Sequence, residues 1–233
     1  RRCERVLAEL DDLEAEAAGS RAAVAGTLRL DAPLTYGRRV MTPVLARLLH
    51  AHPGLSLDLR LQDSYADLVR DGLDAAIRVG PLRDSTLVAR RFDWQDLVLI
   101  ASPDYLAAHG RPERIDQLAG HRTVVFRMPS TGRNRPWQLR QGRRTIELHL
   151  EHRTQVNDGE GIVAAALLGL GIAQIPNNMV GEELARGALV ELLRPHRPPS
   201  MPISIVTPSA RMQPPRVRAL IEALEPMRAR ERP

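Results

Sequence analysis

Residues 67–91, DLVRDGLDAAIRVGPLRDSTLVARR, give the strongest indication of the fold. The first residues, with the apolar pair Leu68 and Val69, predict the end of a helix. Gly72 closes that helix, because glycine readily adopts the left-handed conformation that ends many helices. A compact apolar run follows, formed by Ala75, Ala76, Ile77 and Val79. Such a run is typical of a strand covered on both faces in a parallel sheet, so the segment predicts the centre of an α/β fold.

The residues before this segment alternate between strand and helix patterns. Residues 27–32 predict a first strand, and a helix follows whose apolar positions recur with helical period and whose start lies at Pro43 or several residues earlier. Residues 55–61 alternate leucines with polar residues and predict a second strand. Asp63 or Ser64 is expected to cap the next helix. Strand, helix, strand, helix, strand is the order of an α/β parallel sheet.

The residues after the segment predict a second α/β unit. A helix begins at Ser102 or Pro103 and ends at Gly110, and a later helix begins with a capping box formed by Asn157 and Glu160. The remaining predicted elements are strands at 87–92, 97–101, 123–126, 153–156, 172–175, 189–193 and 203–206, a hairpin at 137–139 and 145–150, and a closing helix at 217–224.

Composition excludes several classes of chemistry. The 233 residues are 43% hydrophobic and 3% aromatic, which fits one large or two modest domains. Cys3 is the single cysteine, so the chain has no internal disulfide and no thiolate-rich metal site, as expected in a reducing cytoplasm. All 33 basic residues are arginine, which excludes a Walker phosphate loop and a Schiff-base lysine. No apolar run approaches the roughly 20 residues that span a bilayer.

Charge and histidine placement favour neither nucleic-acid nor metal chemistry. The net charge is +5, but the arginines are scattered among carboxylates and lack interleaved aromatic residues. A solvated hairpin surface is favoured over a phosphate-binding patch for the densest cluster, which contains Arg127, Arg133, Arg135, Arg140, Arg143 and Arg144. His149 and His152 would point to opposite faces of a strand, and no serine lies in a nucleophile elbow. No metal and no catalytic residue is therefore expected.

Residues 1–19 form a separate pattern. Their apolar residues recur at alternating steps of three and four, which is the period of a coiled-coil seam. A helix of this length is marginal alone, so it pairs with another chain or packs on its own domain.

Two of these segments resemble a known family. Residues 67–91 resemble the "DLV..G.DAAIR.G...D..LVAR" signature of the effector-binding domain of LysR-type transcriptional regulators, and residues 101–112 (ASPDYLAAHGRP) resemble its "ASP.YL..HG.P" phrase. In outline the resemblance covers residues 26–225.

The resemblance implies a fold and its division. The fold would be α/β, with two Rossmann-like subdomains and two crossovers, similar to the type 2 periplasmic binding proteins. Residues 1–25 would be a linker and dimerisation helix. Subdomain I would contain residues 26–100 and 205–233, and subdomain II residues 101–204.

The resemblance also implies a function. The chain would be the effector-binding and oligomerisation domain of a cytoplasmic regulator, would sense a small anionic organic molecule in the cleft between the subdomains, and would use no cofactor. It would form a homodimer or homotetramer and contact DNA only through an N-terminal winged helix-turn-helix domain, without a membrane. The alternatives are a stand-alone solute-binding protein and a small-acid enzyme on the same fold.

Candidate ligand-binding residues follow from the cleft that the resemblance implies and from the position of strand ends. In open α/β sheets ligands bind outside the carboxyl ends of the strands, where helix N-termini present unpaired N–H groups. Arg127 is the expected partner of an anion, because a guanidinium grips a carboxylate with two hydrogen bonds; the alternative is a surface arginine. The serine and threonine hydroxyls could also be helix caps alone. The candidates are Thr35, Asp63, Ser64 and Ser102 from the first subdomain and its hinge, and Phe126, Arg127, Asn157 and Gln174 from the second.

Overall fold

The structure is a computed structural model that describes residues 24–64, 66–82, 86–129, 131–208 and 213–228. The helix predicted for residues 1–19 lies outside the described residues. The described residues divide into two compact units, those up to residue 94 together with those from residue 202 onward (unit 1) and those from 95 to 201 (unit 2). Each unit contains a five-stranded sheet, so the predicted α/β architecture of two units with two chain crossings is confirmed.

Unit 1 is built on a mixed sheet in which the predicted parallel strands lie side by side. The strands are β1 (Gly26–Ala32), β2 (Leu55–Leu61), β3 (Ala75–Val79), β4 (Val88–Gln95) and β12 (Met201–Thr207). They pair in the order β2, β1, β3, β12, β4. β1 runs parallel to β2 and β3, whereas β12 runs antiparallel to β3.

Two helices contribute apolar residues to the core of unit 1. A helical turn at Leu34–Tyr36 leads through a π-helical turn at Gly37–Met41 into helix α1 (Thr42–Ala51), so the helical stretch starts well before Pro43. Helix α5 (Pro215–Arg228) contacts α1 and β1. The core combines apolar residues of the sheet and of both helices, including Leu28, Leu30, Ile77, Leu45, Leu48, Leu220 and Leu224.

The helix predicted between β2 and β3 is wrong for the described residues. Residues 68–72 form only a hydrogen-bonded turn, which Gly72 ends with φ of 66°. The carboxylate of Asp67 accepts hydrogen bonds from the backbone N–H groups of Val69 (3.1 Å) and Arg70 (3.0 Å). Aspartate side chains compete with helical hydrogen bonds in this way, and Val69 is exposed, so no apolar helical face forms.

Unit 2 contains a second mixed sheet and a separate hairpin. The strands are β5 (Leu97–Ala101), β6 (Thr123–Phe126), β9 (Thr154–Val156), β10 (Ile172–Pro176) and β11 (Val190–Leu192), and the hairpin pairs β7 (Trp137–Gln141) with β8 (Arg144–Leu148). The sheet strands pair in the order β11, β5, β10, β6, β9. β10, β6 and β9 are parallel, and β5 runs antiparallel to β10 and β11.

Both faces of the unit 2 sheet are covered. Alternate residues of a strand point to opposite faces, and in β5 Val98 and Ile100 pack in one apolar cluster while Leu99 and Ala101 pack in another. The first cluster includes helix α3 (Gly159–Leu167), and the second includes helix α2 (Pro103–His109) and the hairpin. The other helical elements are α4 (Gly181–Ala185) and the 3₁₀ turns Ile115–Gly120, Asn177–Met179 and Arg194–His196.

The chain crosses between the units slightly earlier than the sequence indicates. The crossings lie at residues 94/95 and 201/202, whereas the predicted boundaries were 100/101 and 204/205. The difference arises because the strand 97–101 pairs with β10 and β11 of unit 2. Among the described residues, no helix is long and apolar enough to cross a membrane.

Candidate functional site

The candidate residues of unit 1 meet at one edge of its sheet. β1 and β2 are parallel and in register from Gly26 with Leu55 to Ala32 with Leu61, so their carboxyl ends lie side by side. Thr35 follows β1 in the first helical turn and is half-buried. Asp63 and Ser64 follow β2 and are exposed.

A carboxylate of the protein already occupies the helix N-terminus at this edge. Asp63 Oδ1 accepts a hydrogen bond of 3.1 Å from the backbone N–H of Leu34, although the two residues are 29 positions apart. The first N–H groups of a helix favour negative charge. Asp63 therefore caps the helix that carries Thr35, in the place that an anionic ligand would occupy.

A buried ion pair lies beneath this edge. Asp31, in β1, is fully buried, and Arg78, in β3, is 6% exposed. Arg78 Nη1 donates to Asp31 Oδ2 at 2.5 Å, and Nη2 donates to the carbonyl of Ala66 at 3.1 Å. Asp31 Oδ1 has no hydrogen-bond partner within the described part of the chain. Sequence reasoning missed this pair, and the one local signal was an arginine inside an apolar strand.

The candidates Phe126, Arg127 and Asn157 meet at one edge of the unit 2 sheet. β6 and β9 are parallel with Phe126 opposite Val156, and Arg127 N–H donates to the carbonyl of Val156 at 2.8 Å. Arg127 and Asn157 therefore lie at adjacent strand ends, and both are exposed. Arg127 Nε donates to the carbonyl of Gly132 at 3.1 Å, so the guanidinium contacts the loop that follows β6.

The predicted capping box at this edge is wrong in its first residue. The N-cap of α3 is Asp158, whose Oδ2 accepts a hydrogen bond of 2.9 Å from the N–H of Gly161. The helix starts at Gly159, so Asn157 lies one residue before the cap and does not serve as it. Asn157 is left as an exposed amide beside Arg127.

Ser102 and Gln174 lie away from that edge and are engaged in structural hydrogen bonds. β5 is antiparallel to β10, so Ser102 follows β5 at the edge where β6 and β10 begin, and its Oγ accepts from Tyr105 N–H at 3.3 Å as the N-cap of α2. Gln174 lies within β10. Its Oε1 accepts from Gln138 N–H (2.9 Å) and its Nε2 donates to Gln138 O (2.7 Å), which joins the sheet to the hairpin.

A polar network in unit 2 adjoins both chain crossings. Asp96, just after the first crossing, accepts hydrogen bonds from Ser200 Oγ (2.5 Å) and Arg197 Nη1 (3.2 Å). Arg197 also binds Glu191 through Nε and Nη2 at 2.5 and 2.7 Å, and this pairing raises the pKa of the guanidinium. Asp96 and Asn177 exchange two further hydrogen bonds. The network holds the two crossing segments together, and sequence analysis did not identify it.

A cluster of titratable side chains, formed by Tyr105, His109 and His121, lies near Ser102. Tyr105 Oη accepts from Arg122 N–H at 2.9 Å and lies 3.1 Å from His121 Nδ1, and its ring stacks on His109. Burial raises the pKa of Tyr105. Burial, followed by the charge of His109, lowers the pKa of His121. His121 is therefore neutral near pH 7. No group of three or more potential metal ligands was found in the described parts of the chain.

Comparison with known proteins identifies the family. Residues 21–228 match the model of the LysR substrate binding domain, and the chain belongs to that family. Its fold is the mixed α/β type of LysR-type regulatory domains, which are periplasmic-binding-protein-like.

Individual relatives and solved structures agree with this family membership. The chain is 31% identical over 210 residues to the uncharacterized HTH-type transcriptional regulator YhjC of Escherichia coli, covering 90% of this chain and 70% of that protein. It resembles the full-length structure of the Vibrio cholerae virulence activator AphB with a TM-score of 0.77 and 28% identity, covering 95% of this chain and 75% of that one. The regulatory domain of CrgA from Neisseria meningitidis gives a TM-score of 0.76 and 27% identity, with 87% and 98% covered.

Proposed function

We propose that this effector-binding domain senses a small anionic organic molecule, in the cleft that the family resemblance implies, and that the full-length regulator transmits binding to an N-terminal DNA-binding domain. Membership of the LysR family and relatives that are HTH-type transcriptional regulators support this role. On this view the domain binds its effector without turnover and needs no cofactor.

The observation that carries the proposal is an exposed cation at the strand ends of unit 2. Arg127 Nε is bound to a backbone carbonyl, and no ion pair of Arg127 occurs in the described part of the chain. Its Nη groups can therefore form the two parallel hydrogen bonds that a carboxylate accepts. The exposed amide of Asn157 and the half-buried ring of Phe126 adjoin it, which supports an organic anion over a simple ion.

Unit 1 would contribute to effector binding if a carboxylate of the effector replaced the carboxylate of Asp63. The N–H of Leu34 is bound to Asp63, a residue of a different loop that is exposed to solvent. An effector carboxylate that replaces Asp63 would gain the same N–H group and the hydroxyls of Thr35 and Ser64. Displacement would release the loop after β2, and this gives ligand binding a conformational consequence.

A thermal-shift screen of acetate, succinate, benzoate and their amides tests the proposal. A carboxylate at about 100 times its dissociation constant should add roughly 2.7 kcal/mol of stability, and its amide should not. Arg127→Gln should abolish the difference. Arg140→Gln is the matched control, because Arg140 is also an exposed arginine bound to a carbonyl, that of Pro195. Equal effects of acids and amides, or of the two variants, would refute an anion site at Arg127.

We also propose that the regulator acts in the cytoplasm as a homodimer or homotetramer, with DNA contacted only through its N-terminal domain and with no membrane partner. The heptad-like pattern of residues 1–19 supports assembly through that segment. Light scattering of the chain with and without residues 1–23 tests it. Loss of the oligomer on truncation is expected, and an unchanged mass would contradict the role of that segment.

A further inference from the structure

Unit 2 contains a cavity of about 500 Å³ whose lining residues do not include the candidates at the strand ends. It adjoins that edge, because Asn134 and Arg135 of its lining pair through the backbone with Arg127 and Phe126. It lies between the start of the hairpin and the segment that leads into β9. The lining residues share no single element and are Val125, Asn134, Arg135, Pro136, Trp137, Leu148, His149, Leu150, Glu151 and His152. The volume falls within the range of roughly 300–1,000 Å³ that is usual for small-molecule sites.

The cavity lies on a different face of the sheet from α3. Val124 and Phe126 pack in the cluster that contains α3. Val125, between them, lines the cavity, because successive residues of a strand point to opposite faces. The cavity is thus separated by the sheet from α3, and Arg127 and Asn157 are not among its lining residues.

One wall of the cavity is fixed by a hydrogen-bonded histidine. His152 Nδ1 lies 3.3 Å from the carbonyl of Leu150, and its Nε2 lies 3.1 Å from Asn134 Nδ2 and also contacts Gln155 Nε2. His152 therefore joins the two chain segments around the cavity and forms part of its wall before any ligand binds.

The remaining walls combine an apolar surface with both signs of charge. Trp137 is 3% exposed and pairs with Leu148 across the hairpin, so the indole is held in place. Glu151 contributes a carboxylate that is exposed and forms no ion pair in the part of the chain that the structure describes. Arg135 contributes a guanidinium, whose Nη2 also contacts Met201 Sδ at 4.0 Å, and His149 contributes an exposed imidazole to the same cavity.

We propose that this cavity is a second ligand site, for a zwitterionic amino acid with an aromatic side chain. The ligand ammonium would pair with Glu151, and its carboxylate would accept hydrogen bonds from Arg135 and His149. Its ring would pack on the apolar lining formed by Leu148, Leu150 and the small exposed part of Trp137. A ligand that carries both charges would complement both sides of the site. This inference is independent of the anion site at Arg127.

Trp137 can report occupancy directly. The chain contains two tryptophans, so Trp94→Phe leaves Trp137 as the only one. In this variant phenylalanine should change the emission of Trp137 in a saturable way. 3-Phenylpropionate, which lacks the ammonium, and phenethylamine, which lacks the carboxylate, should each bind roughly tenfold more weakly, the effect of about 1.4 kcal/mol.

Two carboxylate variants locate the site. Glu151→Gln should weaken phenylalanine roughly tenfold. Glu147→Gln is the control and should leave the affinity unchanged, because Glu147 is an exposed carboxylate in β8, four residues before Glu151, that does not line the cavity. Arg127→Gln should also leave it unchanged, which separates this site from the proposed effector site.

Three results would overturn the proposal. The first is an unchanged Trp137 emission up to about 20 mM phenylalanine, a concentration that would detect even millimolar binding. The second is an equal response to phenylalanine, 3-phenylpropionate and phenethylamine. The third is an equal loss of affinity in the two glutamate variants. A folded Glu151→Gln protein, verified by its circular dichroism, excludes misfolding as the cause of lost binding.

Discussion

The two units hold the helix N-termini at their strand ends in different ways. In unit 1 the cap is Asp63, 29 positions from the Leu34 N–H that it accepts from, and the side chain comes from an exposed loop. In unit 2 the cap is Asp158, three positions from Gly161 and joined directly to the helix. A remote cap, which comes from a loop distant in sequence, can move away from the helix with that loop. A local cap, which directly precedes the helix, stays with it. Under the proposed function, unit 1 would therefore offer an exchangeable anion position, and unit 2 would depend on the cationic side chain of Arg127.

Unit 1 also depends on a buried ion pair beneath its strand ends. Arg78→Leu leaves Asp31 buried without its partner, which should cost about 3–5 kcal/mol of unfolding free energy. Replacing both residues with leucine should recover much of this loss. Arg90→Gln, which removes an exposed pair with Glu225, should cost less than about 1 kcal/mol. Urea unfolding measures all three, and a small effect of Arg78→Leu would show that the pair does not support this edge.

Removing the local cap should cost more than removing the remote one. Asp158→Ala should destabilise unit 2 by about 1 kcal/mol, the usual value of an N-cap. Asp63→Ala should cost less, because water can replace its carboxylate at an exposed site. Asn157→Ala, next to the true cap, should change the stability by less than about 0.5 kcal/mol. A larger loss from Asn157→Ala than from Asp158→Ala in urea unfolding would reverse the assignment of the cap.

Removing the charge of the remote cap should strengthen anion binding. Asp63→Asn keeps an oxygen that can accept from Leu34 but removes repulsion of an incoming carboxylate. The affinity for the carboxylate found in the thermal-shift screen should rise roughly fivefold, about 1 kcal/mol. Asp158→Asn should give no such gain, because that cap is not exchanged. Calorimetric titration compares the two, and equal gains would remove the distinction between the caps.

The smallest expected effect is the pH dependence from His121 in unit 2. Its pKa is lowered in the folded protein, so the unfolded chain binds more protons below its ordinary pKa of about 6.5. Stability is therefore full above that pH and falls as the pH drops through 6.5 toward the lower folded value.

His121→Gln isolates this contribution, since glutamine can still accept from Tyr105 and does not titrate. Between pH 7.5 and 5.5 the unsubstituted protein should lose more in Tm than the variant. The same loss in both proteins would assign the pH dependence to other groups.

The fold was predictable because its elements follow local patterns. The alternation of residues 55–61 and the apolar run at Ala75 correspond to β2 and β3, and Ser102 and Gly110 bound helix α2 as expected. The helix after β2 failed because Asp67 satisfies backbone N–H groups that a helix would need, a competition that the apolar period does not reveal.

The positions of the candidate site residues were predictable only where the direction of the neighbouring strands was predicted correctly. Parallel pairing brought Thr35 to Asp63 and Arg127 to Asn157, whereas Ser102 fell at the other edge because β5 is antiparallel to β10. Contacts between distant residues were missed: Arg78 and Asp31 are 47 positions apart, and Gln174 and Gln138 are 36 apart. No local period encodes such pairs.

The most direct test of an anion bound at the strand ends is an amide NMR titration with the carboxylate that stabilises the protein most in the screen. The predicted result is that Leu34, Thr35, Arg127 and Asn157 shift together and saturate with one dissociation constant. A screen without a stabilising carboxylate, or shifts confined to other parts of the chain, would contradict the account.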